Sequence, residues 1–212
     1  RPTTTIALDA LYGPPNEEKD DIIAPGEGGP SADQILDKYI QALGGAQRLA
    51  GIKSFIATGT SVGYEGLGGG GQFQIRGKAP DQRAVQIIFK DHPERGDSTR
   101  AYNGSAGWIK SPRGLLGQYE LAGSELDGLR LEAQLAFPGQ IKQVLTNLRA
   151  GNPDSINGSD VDVVQGTGPR GVLATLYFDK QSGLLVRLVR YGRSPVGRVP
   201  VQSDYSDYRD VG

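Results

Sequence analysis

The sequence predicts an α+β fold built on an antiparallel sheet, and three observations lead there. Apolar residues alternate with period two over much of the chain and take the helical period in only three stretches. Glycine (32 residues) and proline (13) sit between short apolar runs, which marks many turns joining many strands. The resulting order is helix, meandering strands, helix pair and meandering strands again. Neighbouring strands joined by short turns pair antiparallel.

At 212 residues the chain is long enough for one sizeable domain, which buries roughly 70% of its unfolded surface and needs no staple. There is no cysteine, which removes disulfides, thiolate metal sites, a thiol nucleophile and covalent haem attachment. There is no methionine either, position 1 included, so the chain is expected to be a processed product or a fragment whose targeting segment lies upstream. The formal net charge is -1 and the lysines and arginines are scattered, so no nucleic-acid face is expected. No run approaches the ~20 apolar residues that cross a bilayer, so no transmembrane segment is expected.

Residues 1–30 read as a proline-rich acidic tether. Pro2, Pro14, Pro15, Pro25 and Pro30 interrupt every element there, and the clusters Ile6-Ala7-Leu8 and Ile22-Ile23 are able to dock on a neighbouring surface. A protein partner is therefore expected through this segment. The domain proper spans 31–212. It opens with the capping-box pattern Ser31-Ala32-Asp33-Gln34 and a helix whose stripe is Ala32, Ile35, Leu36, Tyr39, Ile40 and Leu43, stopped by Gly44-Gly45. A short turn covers Ala46–Ala50.

From Ile52 the period is two. Phe73/Ile75 and Val85/Ile87/Phe89 mark half-buried strands, and Asn103-Gly104 predicts a type I′ hairpin between Ser98–Tyr102 and Trp108–Lys110. Ser124 is placed to cap a helix carrying Leu126, Leu129 and Ala133. Pro138-Gly139 breaks it, and Ile141, Val144, Leu145 and Leu148 suggest a second helix. Strands return at Val161/Val163, Val172/Ala174/Leu176/Phe178 and Leu184/Val186/Leu188, the last two joined by the turn Asp179–Gly183. A final strand is expected near Val201–Tyr208.

The segment Ser31–Gly212 resembles the periplasmic lipoprotein carrier LolA and its LppX-like relatives. The resemblance is carried by the helix ending at Gly44-Gly45, by Ala46–Phe55 leading into the first strand, by Tyr102–Trp108, where a turn delivers an aromatic residue, and by Leu176–Val186. It implies a strongly curved antiparallel sheet, a half-barrel, wrapped around about three helices, an exported protein in the periplasm or outside the cell, and no catalysis. A narrower resemblance is to the C-terminal module of acidobacterial c-type cytochromes related to the photosynthetic reaction centre cytochrome subunit. It rests on the proline-rich start Arg1–Thr5 and the helix Ala32–Gly45. This chain has no Cys-x-x-Cys-His, so no cofactor is expected within it, and a c-type haem would lie upstream of Arg1. Tyr205–Gly212 resembles a penultimate strand, so such a domain would continue beyond it.

Catalytic motifs are absent. Gly66–Gly71 satisfies G-x-G-x-x-G, but a strand follows it where dinucleotide binding needs a helix, so it reads as a hairpin loop. His92, the only histidine, precedes Pro93 in a turn and has no nucleophile motif beside it. Asp20-Asp21 and Ser203–Asp210 lack the glycine-punctuated spacing of a calcium loop, and no metal site is expected. Asn103-Gly104-Ser105 and Asn157-Gly158-Ser159 match the glycosylation sequon but are turn signals first. The strand faces carry the candidate binding residues Phe73, Ile75, Val85, Ile87, Phe89, Trp108, Leu176, Phe178, Leu184, Val186 and Leu188. They either fill a sheet-on-helix core or line a hollow for a hydrophobic small molecule or acyl chain. The alternative function is a docking module of a larger extracytoplasmic cytochrome.

Overall fold

The computed structural model describes residues 22–61, 71–89, 94, 96–111, 117–194 and 197–209. It forms two compact units, one of the described residues up to Ala42 together with those from Thr146 on, the other of Leu43–Leu145.

Helix α1 (Ala32–Ala42) opens the first unit. Its capping box forms as predicted: the Ser31 N–H donates to Gln34 Oε1 at 2.8 Å, and the Gln34 N–H to Ser31 Oγ at 3.3 Å. Ala32, Ile35, Leu36, Tyr39 and Ile40 are all buried. The chain leaves the helix through Gly44 (φ 99°) and Gly45 (φ 89°), where a side chain would be strained.

The unit Leu43–Leu145 begins with helix α2 (Ala46–Gly51). It continues through strands β1 (Ser54–Ser61), β2 (Gly71–Lys78), β3 (Gln82–Ile88), β4 (Ser98–Tyr102), β5 (Gly107–Lys110) and β6 (Gln118–Glu120). These six pair antiparallel in sequence order into one open sheet. Helix α3 (Gly123–Leu135) lies on β3, β4 and β5, around a core of Tyr102, Leu121, Leu129 and Ala133 joined by Ile109 and Leu126.

Three local expectations are corrected here. The Asn103 loop holds four residues, and among its members only Gly104 has positive φ. Asn103 shapes it through its side chain, whose Oδ1 accepts the Ser105 and Ala106 N–H at 3.0 and 2.8 Å. Ser124 lies inside α3, whose N-cap is Ala122 with no side-chain cap bond. The predicted second helix shrinks to a 3-10 turn (Pro138–Gln140) and the single turn α4 (Ile141–Val144), because Leu145 is extended and Asn147 has φ 49°; Leu148 belongs to a strand.

The rest of the first unit is the sheet of β7 (Thr146–Ala150), β8 (Asp154–Ile156), β9 (Ser159–Thr167), β10 (Leu173–Asp179), β11 (Leu185–Ser194) and β12 (Gly197–Asp204). Its order is β12-β11-β10-β9-β7, with β8 also on β9. The type I′ geometry appears at the other Asn-Gly pair: Asn157 (φ 52°) and Gly158 (φ 83°) join β8 to β9. Helix α1 packs over β7 and β9, and the Tyr39 and Phe178 rings meet at 5.1 Å. On the other face of the sheet, the Ile23 N–H donates to the buried Gln165 at 3.2 Å and the Gly26 N–H to the Ala150 carbonyl at 3.0 Å. The final strand ends at Asp204 rather than near Tyr208, although the Tyr205 N–H still reaches the Val186 carbonyl. The structure has the predicted α+β class with antiparallel pairing throughout.

Candidate functional site

Strand register sorts the side chains of the Leu43–Leu145 sheet onto two faces. Gly107 fixes which face looks toward α3, since a Cβ there would meet Leu129 at 2.9 Å and Leu126 at 3.0 Å. The same face carries Tyr102, whose hydroxyl accepts a hydrogen bond from Arg130 Nε at 2.8 Å, and Arg83, paired with Glu132 at 3.3 Å. Two further rows run across this face. One is Ile109, Arg100, Val85, Ile75 and Ala57; the other is Ser98, Ile87, Phe73 and Gly59.

Glycines let the rings lie down on the sheet. Phe73 sits over its cross-strand partner Gly59, where a Cβ would come within 2.6 Å of the ring, and Phe55 covers Gly77 in the same way. Phe55 also meets Phe137 edge-on at 5.6 Å.

Of the sequence-predicted binding residues, Phe73, Ile75, Val85 and Ile87 share this helix-side face. Phe89 continues it just past β3, beside Ile87 at Gly71. Ile87 and Phe89 are buried, whereas Phe73, Ile75 and Val85 keep open surface. Trp108 stands on the opposite face, paired with Ala101 and Glu120. In the other unit, Leu176, Phe178 and Leu188 share the α1 face and are closed off, at 1%, 1% and 6% exposure. A bulge between Leu185 and Arg187 shifts the phase of β11, so Leu185 pairs with Phe178; Leu184 and Val186 are half-buried off that register. Of the eleven, Ile87, Phe89, Leu176, Phe178 and Leu188 are therefore filled positions, while Phe73, Ile75 and Val85 stay part-exposed together on the helix-side face and Trp108, Leu184 and Val186 stay part-exposed elsewhere.

Sequence reasoning missed Phe55, Tyr102 and Arg100. Alternation starting at Phe55 could have found the first; nothing in the sequence separates Arg100 from the surface arginines. Arg100 Nε and Gln134 Oε1 are buried and have no hydrogen-bond partner among the described residues. His92, Asp20-Asp21 and Gly66–Gly70 lie outside the described residues. Among the described residues no group of three or more His, Cys, Asp or Glu is placed to hold a metal ion, and no helix is long and apolar enough to cross a membrane. Asp204 of the C-terminal acidic stretch is engaged with Arg187 at 2.6 Å.

No protein-family model matches the sequence, and no curated protein does. Solved structures do. A LolA superfamily protein from Nitrosomonas europaea is 16% identical, with a TM-score of 0.50 over 86% of this chain and 80% of its own. A domain named for outer membrane lipoprotein sorting, from Vibrio parahaemolyticus, is 13% identical, with a TM-score of 0.50 over 85% of this chain and 80% of its own. At these identities the likeness is one of fold, and the fold is LolA-like.

Proposed function

We propose that this chain is a non-enzymatic, extracytoplasmic module that holds a hydrophobic ligand, the acyl chain of a lipid or lipoprotein, against the helix-side face of the Leu43–Leu145 sheet. The observation that carries the reading is the open surface kept by Phe73, Ile75 and Val85 on the face that α3 only partly covers. An apolar face left unfilled on the helix side of a sheet is where an acyl chain gains from burial, at about 0.8 kcal/mol per methylene. The fold shared with a lipoprotein-sorting domain supports the ligand class and the compartment. The sequence has no cysteine, and its only histidine has no nucleophile motif beside it, which supports a holding role rather than catalysis.

The test is direct binding of a fluorescent fatty acid to the purified chain, with circular dichroism as the control for folding. Wild type is expected to bind saturably at micromolar protein. Phe73→Asp is expected to lose binding while staying folded, because it places a carboxylate on the acyl track and not in a closed core. A folded wild-type chain that takes up no lipid overturns the reading.

A further inference from the structure

We infer that Arg100 is the head-group anchor of this apolar face, and that the preferred ligand is a long-chain carboxylate held by its acid end. This rests on the acyl-chain reading above and names the chemistry of the head. Among the described residues three arginines attend the helix side of this sheet, and two are matched: Arg83 by Glu132 at 3.3 Å, and Arg130 by Asp127 at 3.6 Å and by the Tyr102 hydroxyl. Arg100 is not. It lies in register between Val85 and Ile109, its Nε is shut off from solvent, and among the described residues nothing accepts its hydrogen bond or balances its charge. A buried donor left unpaired is rare in native proteins, because it has lost water and gained nothing. The arrangement becomes favourable when a ligand brings the missing acceptor.

The neighbours decide what kind of acceptor. One unmatched guanidinium balances one negative charge, and its planar donor fork matches the two oxygens of a carboxylate. The row that holds Arg100 continues through Val85 and Ile75 to Ala57, with Ile87 and Phe73 alongside. Three strand spacings of about 4.8 Å give that track a length of about 14 Å. A cation at one end of an apolar track is complementary to a single-chain amphiphile with an anionic head. Gln134 Oε1, the other unpaired atom, is an acceptor and takes no part in holding the anion.

The experiment compares radiolabelled oleate with radiolabelled methyl oleate, both presented to the full chain from phosphatidylcholine vesicles at a pH where oleate is ionised. Wild type is expected to prefer the acid by at least tenfold. Arg100→Met is expected to abolish the preference, bringing oleate to the level of the ester. Arg100→Lys, which keeps the charge but loses the fork and Nε, should fall between them and serves if the methionine variant does not fold. A wild type that binds both ligands equally, or a folded Arg100→Met that keeps the preference, overturns the anchor while leaving the acyl-chain reading standing. Binding of neither ligand overturns both.

Discussion

Phe55 and Phe73 each lie over a glycine on the neighbouring strand, so single atoms added at those glycines have nowhere to go. Gly77→Ala and Gly59→Ala are expected to destabilise the chain by about 1–3 kcal/mol, since the rings must leave their positions to admit a Cβ. Gly51→Ala, where a Cβ meets nothing within 4 Å, is the control and should be near neutral. A shift of the urea midpoint without a change of slope is the expected record; equal midpoints for all three variants would contradict the packing. At the β10–β11 turn, Asp179 Oδ1 accepts the Ser182 N–H and hydroxyl, each at 2.7 Å, and those bonds hold its carboxyl below the ordinary 3.8. A depressed folded value means that its stabilisation is present above pH 3.8 and is lost as acid protonates it. Asp179→Asn should therefore flatten the acid side of the pH–stability curve below that value. An unchanged acid limb would show that the turn does not depend on the charge.

Two elements sit differently from their sequence pattern, and each has a local cause. The bulge in β11 brings Leu185, not Leu184, opposite Phe178, and in the segment after β12 the Tyr208 hydroxyl donates to the Leu185 carbonyl at 2.7 Å. Burial, with a smaller contribution from Tyr205, pushes the Tyr208 phenol up to about 12, and burial beside Tyr208 and Tyr205 raises Tyr39 further still. A raised folded value keeps the neutral phenol stabilising below pH 10 and removes that stabilisation as pH climbs through about 12. Absorbance at 295 nm should thus show a fraction of tyrosine ionising late, above pH 10, and Tyr208→Phe should shrink that late fraction. On the other face of that sheet, Gln165→Leu removes the acceptor of the Ile23 amide and leaves the Gly26 amide with Ala150. Hydrogen exchange should therefore quicken at Ile23 and not at Gly26, and equal quickening would mean that residues 22–26 are held as one piece.

For the molecule as a whole, the division of apolar side chains into closed and open groups predicts two kinds of failure. Leu176→Asp buries a charge at a site 1% exposed and should unfold the chain, at a cost of several kcal/mol, whereas Phe73→Asp should lose ligand and keep the fold. A ligand at a hundred times its Kd adds about 2.7 kcal/mol to wild-type stability, so a fatty acid should raise Tm in wild type and not in Phe73→Asp. The sequence determined by itself what local chemistry controls: the α+β class, the capping box at Ser31, the stripe of α1, the stop at Gly44-Gly45 and the period-two strands, because capping, helical and strand periods are properties of neighbours in the chain. It could not decide which Asn-Gly pair becomes the type I′ turn, because loop length is set by where the paired strands end. Nor could alternation tell that Trp108 faces away from Phe73 or that Leu185 replaces Leu184, since a one-residue change of register moves every side chain to the other face. Tertiary structure alone separated the filled positions from the open ones and left Arg100 without a counter-charge among the described residues, because exposure and pairing depend on which distant segments arrive to cover a residue.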